Sequence, residues 1–188
     1  ILAREKVFTS SDHHFNKVKE FHSVMDESTQ EGPIAWSPQD ARYRAGFKLE
    51  ELVEFLRAAS NSEEDFNSSV AYLHQALDKA ADKVRSKSQA EVSLVGQVDA
   101  LIDTLYFTYG SFVLMGVDPE QLFDIVHRAN MGKIFPDGKA HFDPVTHKIL
   151  KPDDWEEKYA PEGAIKEELE RQIQAYQRTL EQKEENKE

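Results

Sequence analysis

Two short runs of this chain place acidic side chains where helical geometry would bring them together. GFKLEELVEFL carries Glu50, Glu51 and Glu54, and GQVDALIDTLYF carries Asp99 and Asp103. At 3.6 residues per turn, Glu50 and Glu54 lie about 40° apart around a helix axis and Glu51 about 60° from Glu54, so all three share one edge. Asp99 and Asp103 repeat the i, i+4 relation on a second helix. Leu49, Leu52, Val53 and Phe55 flank the first cluster, and Leu101, Ile102, Leu105 and Tyr106 the second. An acid in such a setting costs free energy unless something offsets its charge. A divalent cation would do so. If the two helices face each other, five oxygen donors converge in one crevice, which suits a hard ion such as Mg²⁺ or Mn²⁺. The alternative is that these acids cap, pair with lysine or face water, as acids on amphipathic helices usually do.

Composition restricts the remaining chemistry. The 188 residues suffice for one domain, or one domain with an appended arm. The chain has no cysteine, which excludes a disulfide framework, zinc–thiolate sites and thiol catalysis. Acidic residues number 35 against 23 basic, a net charge of −12, which argues against binding a nucleic-acid polymer. No apolar run approaches the ~20 residues of a membrane span. The start, ILAREKVFTSSDHH, lacks the apolar stretch of a secretory signal, so the expectation is a soluble, cytoplasmic protein, with the missing initiator methionine suggesting a processed or trimmed start.

The elements that must position the acids read as helices almost throughout. A first helix is predicted from about Asp12 to Met25, capped by Ser10 or Ser11, with Phe15, Val18 and Phe21 on its apolar stripe. The segment from Glu27 to Trp36 reads as a loop. Ser37-Pro38 supplies an N-cap followed by proline at the first helical position, opening a second helix that carries the first acids to about Ala59. Ser62 with Asp65 resembles a capping box for a third helix, from Glu63 to about Ser86, and SKSQAE reads as a polar joint. A fourth, from about Glu91 to Met115, holds the second acids and stops at Gly116. A fifth follows Asp118-Pro119 and ends near Gly132. Four prolines between Phe135 and Pro161 mark an irregular arm or short hairpin. The last segment spaces Ile165, Leu169, Ile173, Tyr176 and Leu180 as one helical stripe that demands a partner surface, and EQKEENKE reads as a frayed tail. The expected organisation is a helical bundle over residues 1–134, an arm over 135–161 and a terminal helix over 162–188. The fold class is all-α, of the four-helix-bundle type.

LEELVEFL, then VDALIDTLYFTYG, VDPEQLFDIVHRANMGK and KILKPDDW, in that order, resemble the all-α nucleoside triphosphate pyrophosphohydrolases. That superfamily includes MazG-like proteins, dimeric dUTPases and phosphoribosyl-ATP pyrophosphohydrolases, and the last subgroup is the most similar. The resemblance runs from about Phe15 to Trp155. It implies an EExxE signature that Glu50, Glu51 and Glu54 match, and an ExxD signature of which Asp103 matches the aspartate. Ala100 stands where the second signature has its glutamate, and Asp99, one position earlier, either substitutes as the donor or hydrogen-bonds a nearby lysine or a ligand instead. The resemblance also implies Mg²⁺-dependent cleavage of a nucleoside triphosphate to the monophosphate and pyrophosphate, with Glu50 and Glu51 as the catalytic candidates. Asn130 and Lys133 of HRANMGK would meet the nucleotide, and Lys148 and Lys151 of HKILKPDDW could reach over a phosphate. A homodimer or higher homo-oligomer is expected.

Other readings stay open at this level. Asn130, Gly132 and Lys133 also suit an ordinary helix C-terminus. His22 and His127 read as hydrogen-bonded structural residues, and His13-His14 as solvent-facing. Tyr106, Phe107, Tyr109 and Phe112 read as core more readily than as a base-stacking platform. A non-catalytic nucleotide-binding or assembly module, or a hydrolase of another phosphorylated metabolite such as phosphoribosyl-ATP, would fit the same helices.

Overall fold

A computed structural model describes residues 10–25, 30, 32–87 and 91–186. Seven helices follow one another: α1 (His13–Met25), α2 (Pro38–Ala58), α3 (Glu63–Arg85), α4 (Leu94–Met115), α5 (Glu120–Met131), α6 (Trp155–Tyr159) and α7 (Glu162–Glu185). The fold is all-α; the β structure among the described residues is an isolated antiparallel bridge between Phe142 and Ile149. No described helix is long and apolar enough to cross a membrane. The chain divides into two compact units, Gly32–Thr104 and Ile1–Glu31 with Leu105–Glu188, and α4 runs from the first into the second.

In the Gly32–Thr104 unit the capping chemistry sets the helix starts. The Ser37 side chain accepts a hydrogen bond from the Asp40 backbone N–H, with proline at the head of α2. Ser62 does the same for Asp65 at the head of α3. The return half of the expected capping box is altered: the Asp65 carboxylate accepts from Asn61 rather than from the Ser62 backbone. The tight turn between α2 and α3 is held by Arg57, which pairs with Glu63 at 2.8 Å and lies over the Phe66 ring at 5.1 Å. The two helices pack as a hairpin. Helix α4 begins at Leu94, three residues after the expected start, because Ser93 Oγ accepts from the Gly96 N–H and so caps it there. Part of the predicted joint, residues 88–90, lies outside the described residues, as do residues 27–29 and 31 of the predicted first loop and the final two residues of the tail. Trp36 and Gln97 exchange two hydrogen bonds, Trp36 N–H to Gln97 Oε1 at 2.8 Å and Gln97 Nε2 to the Trp36 carbonyl at 3.0 Å.

In the other unit α5 is central, packed by α1 on one side and α7 on another. Asp12, rather than Ser10 or Ser11, caps α1, its carboxylate accepting from the Phe15 N–H at 2.9 Å. Just ahead of α5, whose N-cap position is Pro119, the Asp118 carboxylate accepts from the Glu120 N–H at 3.0 Å. Gly116 takes φ +70°, the left-handed conformation that ends α4. His13 and His14 depart from the expectation of a solvated pair. His13 Nε2 lies 3.0 Å from Asp124 Oδ1, and His14 stacks on Phe123 and shares a hydrogen bond with the Tyr109 hydroxyl, so both pin α1 in place. Burial by itself would raise the Asp124 carboxyl, but His13 and Lys17 together hold it below its usual range. His127 keeps its structural part, 3.3 Å from Glu20. The expected frayed tail is helical as far as Glu185.

The arm after α5 forms a small hairpin around Phe142 and Ile149, closed by an Asp143 carboxylate that accepts from the Val145 and Thr146 backbone N–H groups. It then turns into α6, a helix that periodicity does not signal because it is five residues long. Trp155 of α6 is buried, and its indole N–H donates to the Ala129 carbonyl at 2.8 Å. The Tyr159 ring rests directly on buried Gly132.

Candidate metal and nucleotide site

All five candidate metal ligands belong to the Gly32–Thr104 unit. Glu50, Glu51 and Glu54 project from the second half of α2, and Asp99 and Asp103 from the first half of α4. All five are exposed. The helical spacing expected of each cluster is therefore present, since both stretches are continuous helix. Their convergence is not: among the described residues no three His, Asp or Glu side chains come together as a group that could hold a metal ion. Helices α2 and α4 form no packed interface with each other. The donor chemistry nonetheless fits Mg²⁺, because every candidate is a carboxylate, the hard anionic oxygen that this ion prefers.

The apolar flanks behave differently from expectation too. Leu49, Leu52 and Phe55 beside the first cluster, and Ile102, Tyr106 and Phe107 beside the second, are exposed. Tyr106 and Phe107, expected in the core, are 75% and 73% exposed. Among the described residues no side chain buries either ring. Phe112 and Tyr109 fare otherwise and line an apolar cavity of about 380 Å³ with residues of α5 and α7.

Asn130, Lys133 and Lys151 lie in the other unit. The Lys133 ammonium donates to Asn130 Oδ1 at 2.8 Å across the end of α5. Lys151 sits with its ammonium 3.8 Å above the centre of the Trp155 ring and 4.0 Å from Glu156. Trp155 therefore touches both groups, bonding the helix turn that carries Asn130 through Ala129 and carrying Lys151 on its face. Sequence reading singled out the lysines and the asparagine but missed Trp155 and Tyr159. The pattern Gly132 to Tyr159 carries no local signal, because a ring lying on a glycine is a tertiary fact.

The family model for phosphoribosyl-ATP pyrophosphohydrolase matches residues 18–130, a span that includes all five acids and Asn130 and stops before the arm. Among solved structures, a candidate NTP pyrophosphohydrolase from Exiguobacterium sp. 255-15 is similar at 35% identity and a TM-score of 0.79, over 89% of this chain and 99% of that one. No curated protein matches. With the match covering well over half of the chain, and the all-α architecture in agreement, the chain belongs to the phosphoribosyl-ATP pyrophosphohydrolase family within the all-α nucleoside triphosphate pyrophosphohydrolases, and it is a pyrophosphohydrolase.

Proposed function

We propose that the protein is a Mg²⁺-dependent hydrolase that cleaves the α–β phosphoanhydride of a nucleoside triphosphate, releasing the monophosphate and pyrophosphate. The observation that carries this reading is the family match over residues 18–130, which takes in both acid-bearing helices, α2 and α4. Glu51, Glu54 and Asp103 are the proposed ligands, with Asp99 standing in for the signature glutamate that Ala100 replaces. Glu50 either holds a further metal or orients the water. Bound Mg²⁺ would supply charge neutralisation of the phosphoryl oxygens and a more acidic water. The chain's own contributions are simpler. The carboxylates hold position on two rigid helices, Lys133 and Lys151 bring positive charge toward phosphate, and the Asn130 amide offers a donor and an acceptor to sugar or base. A dimer or higher homo-oligomer in the cytoplasm is part of the same proposal.

Phosphoribosyl-ATP is the second substrate to consider, favoured by the description of the matching family. Both readings break the same bond. A panel of canonical and modified nucleoside triphosphates together with phosphoribosyl-ATP, assayed with Mg²⁺ and again in excess chelator, separates them. The proposal expects turnover of at least one triphosphate, its loss on chelation, and a fall by orders of magnitude in Glu54→Gln with helicity unchanged. Full turnover in chelator would refute the metal requirement.

A further inference from the structure

Among the described residues Met25, Ala129, Gly132 and Trp155 are the buried ones, and three of these four meet at one place, where the end of α5 lies against α6. The deepest burial therefore sits beside the three side chains proposed for the nucleotide, Asn130, Lys133 and Lys151. The hydrogen bonds there show what Trp155 does. A helix leaves its last four carbonyls without intrahelical partners. In α5 the backbone N–H groups of Gly132, Lys133 and Ile134 donate to those of Arg128, Asn130 and Met131 at 3.0, 3.0 and 3.1 Å. The remaining one, on Ala129, accepts from the Trp155 indole N–H at 2.8 Å. Trp155 thus completes the helix end from 26 residues away, at the position next to Asn130, whose side chain is in turn tied to the Lys133 ammonium at 2.8 Å.

The same ring carries Lys151. The Trp155 backbone N–H donates to the Pro152 carbonyl at 2.9 Å, a turn that brings the Lys151 ammonium to 3.8 Å from the ring centroid. An aromatic face attracts an ammonium without neutralising it, and only weakly where the site is open to water. The exposed Glu156 carboxylate, 4.0 Å away, adds little. Lys151 is held in place with its charge still available to phosphate.

We infer that Trp155 is a positioning residue for the substrate. Its indole N–H fixes the end of α5 that bears Asn130 and Lys133, its ring face holds Lys151 ready, and phosphate draws Lys151 off the ring on binding. Side chains that bind a ligand need supporting groups that lock them in the productive geometry, and Trp155 supports both sets at once. This inference rests on the proposed contact of those three side chains with the nucleotide, and it names the residue that makes them one surface.

Trp155 can report on its own role. The chain has two tryptophans, and Trp36→Phe keeps both hydrogen bonds to Gln97 because they use the Trp36 backbone. In Trp36→Phe the fluorescence of Trp155 is followed during titration with inorganic pyrophosphate and, separately, with a non-hydrolysable triphosphate analogue and Mg²⁺. Withdrawal of the ammonium from the ring shifts the emission, and in Trp36→Phe/Lys151→Gln the shift is lost. Emission unchanged by every probe, or a shift of equal size without Lys151, overturns the inference.

Steady-state kinetics supply the second test. Trp155→Phe keeps a ring and loses the N–H, and should raise KM for a turned-over triphosphate about 5- to 10-fold with kcat within about twofold, because binding rather than the chemical step is weakened. Trp155→Leu removes the ring face as well, and in that background Lys151→Gln should change KM little further. A Trp155 that only stabilises the fold would lower kcat through loss of folded enzyme at constant KM; that result, or additive effects of Trp155→Leu and Lys151→Gln, refutes the positioning role. The fluorescence titration needs no turnover, so a shift that depends on Lys151 in a protein that hydrolyses no triphosphate would discard the proposed reaction and keep the positioning role. A hydrolase whose KM rises in Lys151→Gln but not in Trp155→Leu would do the reverse.

Discussion

A single added methyl group at Gly132 tests how the arm is seated. Gly132 caps α5 at φ −64° and ψ −10°, a backbone that any residue adopts, so alanine there is free of conformational strain. The obstacle is the Tyr159 ring: a Cβ on Gly132 would stand 2.3 Å from Cγ, 2.6 Å from Cδ1 and 2.7 Å from Cδ2. These atoms form the rigid base of the ring, so rotating the tip does not relieve the clash, and α6 must shift. Overpacking of this kind costs about 1–3 kcal/mol, set against a gain of up to ~1 kcal/mol for replacing glycine by alanine in helical backbone. We therefore expect Gly132→Ala to destabilise by about 1–2 kcal/mol. In a Tyr159→Ala background the clash is absent and the same substitution should be neutral or stabilising by a few tenths to ~1 kcal/mol. The difference, a coupling of roughly 2 kcal/mol, is read from urea unfolding of the four proteins at one fixed concentration. The displacement should also raise KM for nucleotide, because Lys133 is the next residue. Equal effects of Gly132→Ala in both backgrounds, or stabilisation in the wild-type background, would refute the reasoning.

Three further outcomes follow from the same structure. Trp155→Phe removes the donor to the buried turn at Ala129 and should cost about 1–3 kcal/mol in urea unfolding, whereas an exposed ring would cost almost nothing. Asp99→Asn should weaken Mn²⁺ binding about 10-fold or more by calorimetry if Asp99 replaces the missing signature glutamate, and leave it unchanged if Asp99 only faces water. Hydrogen bonds from Arg171 and Gln172 lower the Glu168 carboxyl from 4.5 to about 2, and Gln172 in turn bonds both backbone groups of Asp118. Because the folded value is depressed, this contribution to stability is complete above about pH 4.5 and lost as pH falls toward 2. The gap in thermal midpoint between wild type and Glu168→Gln should close over that interval; a gap independent of pH would contradict it.

What sequence reading recovers here is mostly what local chemistry decides. Ser37-Pro38 and Ser62 start helices where they stand because capping needs only the neighbouring backbone, and Gly116 stops α4 because it alone meets no Cβ penalty at φ +70°. The acid clusters are legible for the same reason, since their spacing is a property of one helix. Errors arise where local signals compete or where partners are distant. Asp12 caps α1 in place of the nearby serines, and His14 reads as a solvent-facing residue until Phe123 and Tyr109 close on it from more than 90 positions away. The stripe on α7 splits in two: Ile165 and Leu169 are half-buried where α7 packs on α5, while Ile173, Tyr176 and Leu180 remain exposed. Tyr106 and Phe107 show the deepest limit. Aromatic residues at helical spacing read as core, yet both are largely exposed, because the pattern records what a side chain is and not what stands opposite it.

The central claim is the bond that breaks, and ³¹P NMR of a turned-over nucleoside triphosphate with Mg²⁺ observes it directly. Cleavage between the α and β phosphorus gives one nucleoside monophosphate resonance and one pyrophosphate resonance growing in equal amounts, with no diphosphate intermediate and no early orthophosphate. Appearance of nucleoside diphosphate with orthophosphate would place the cut between β and γ and contradict the account.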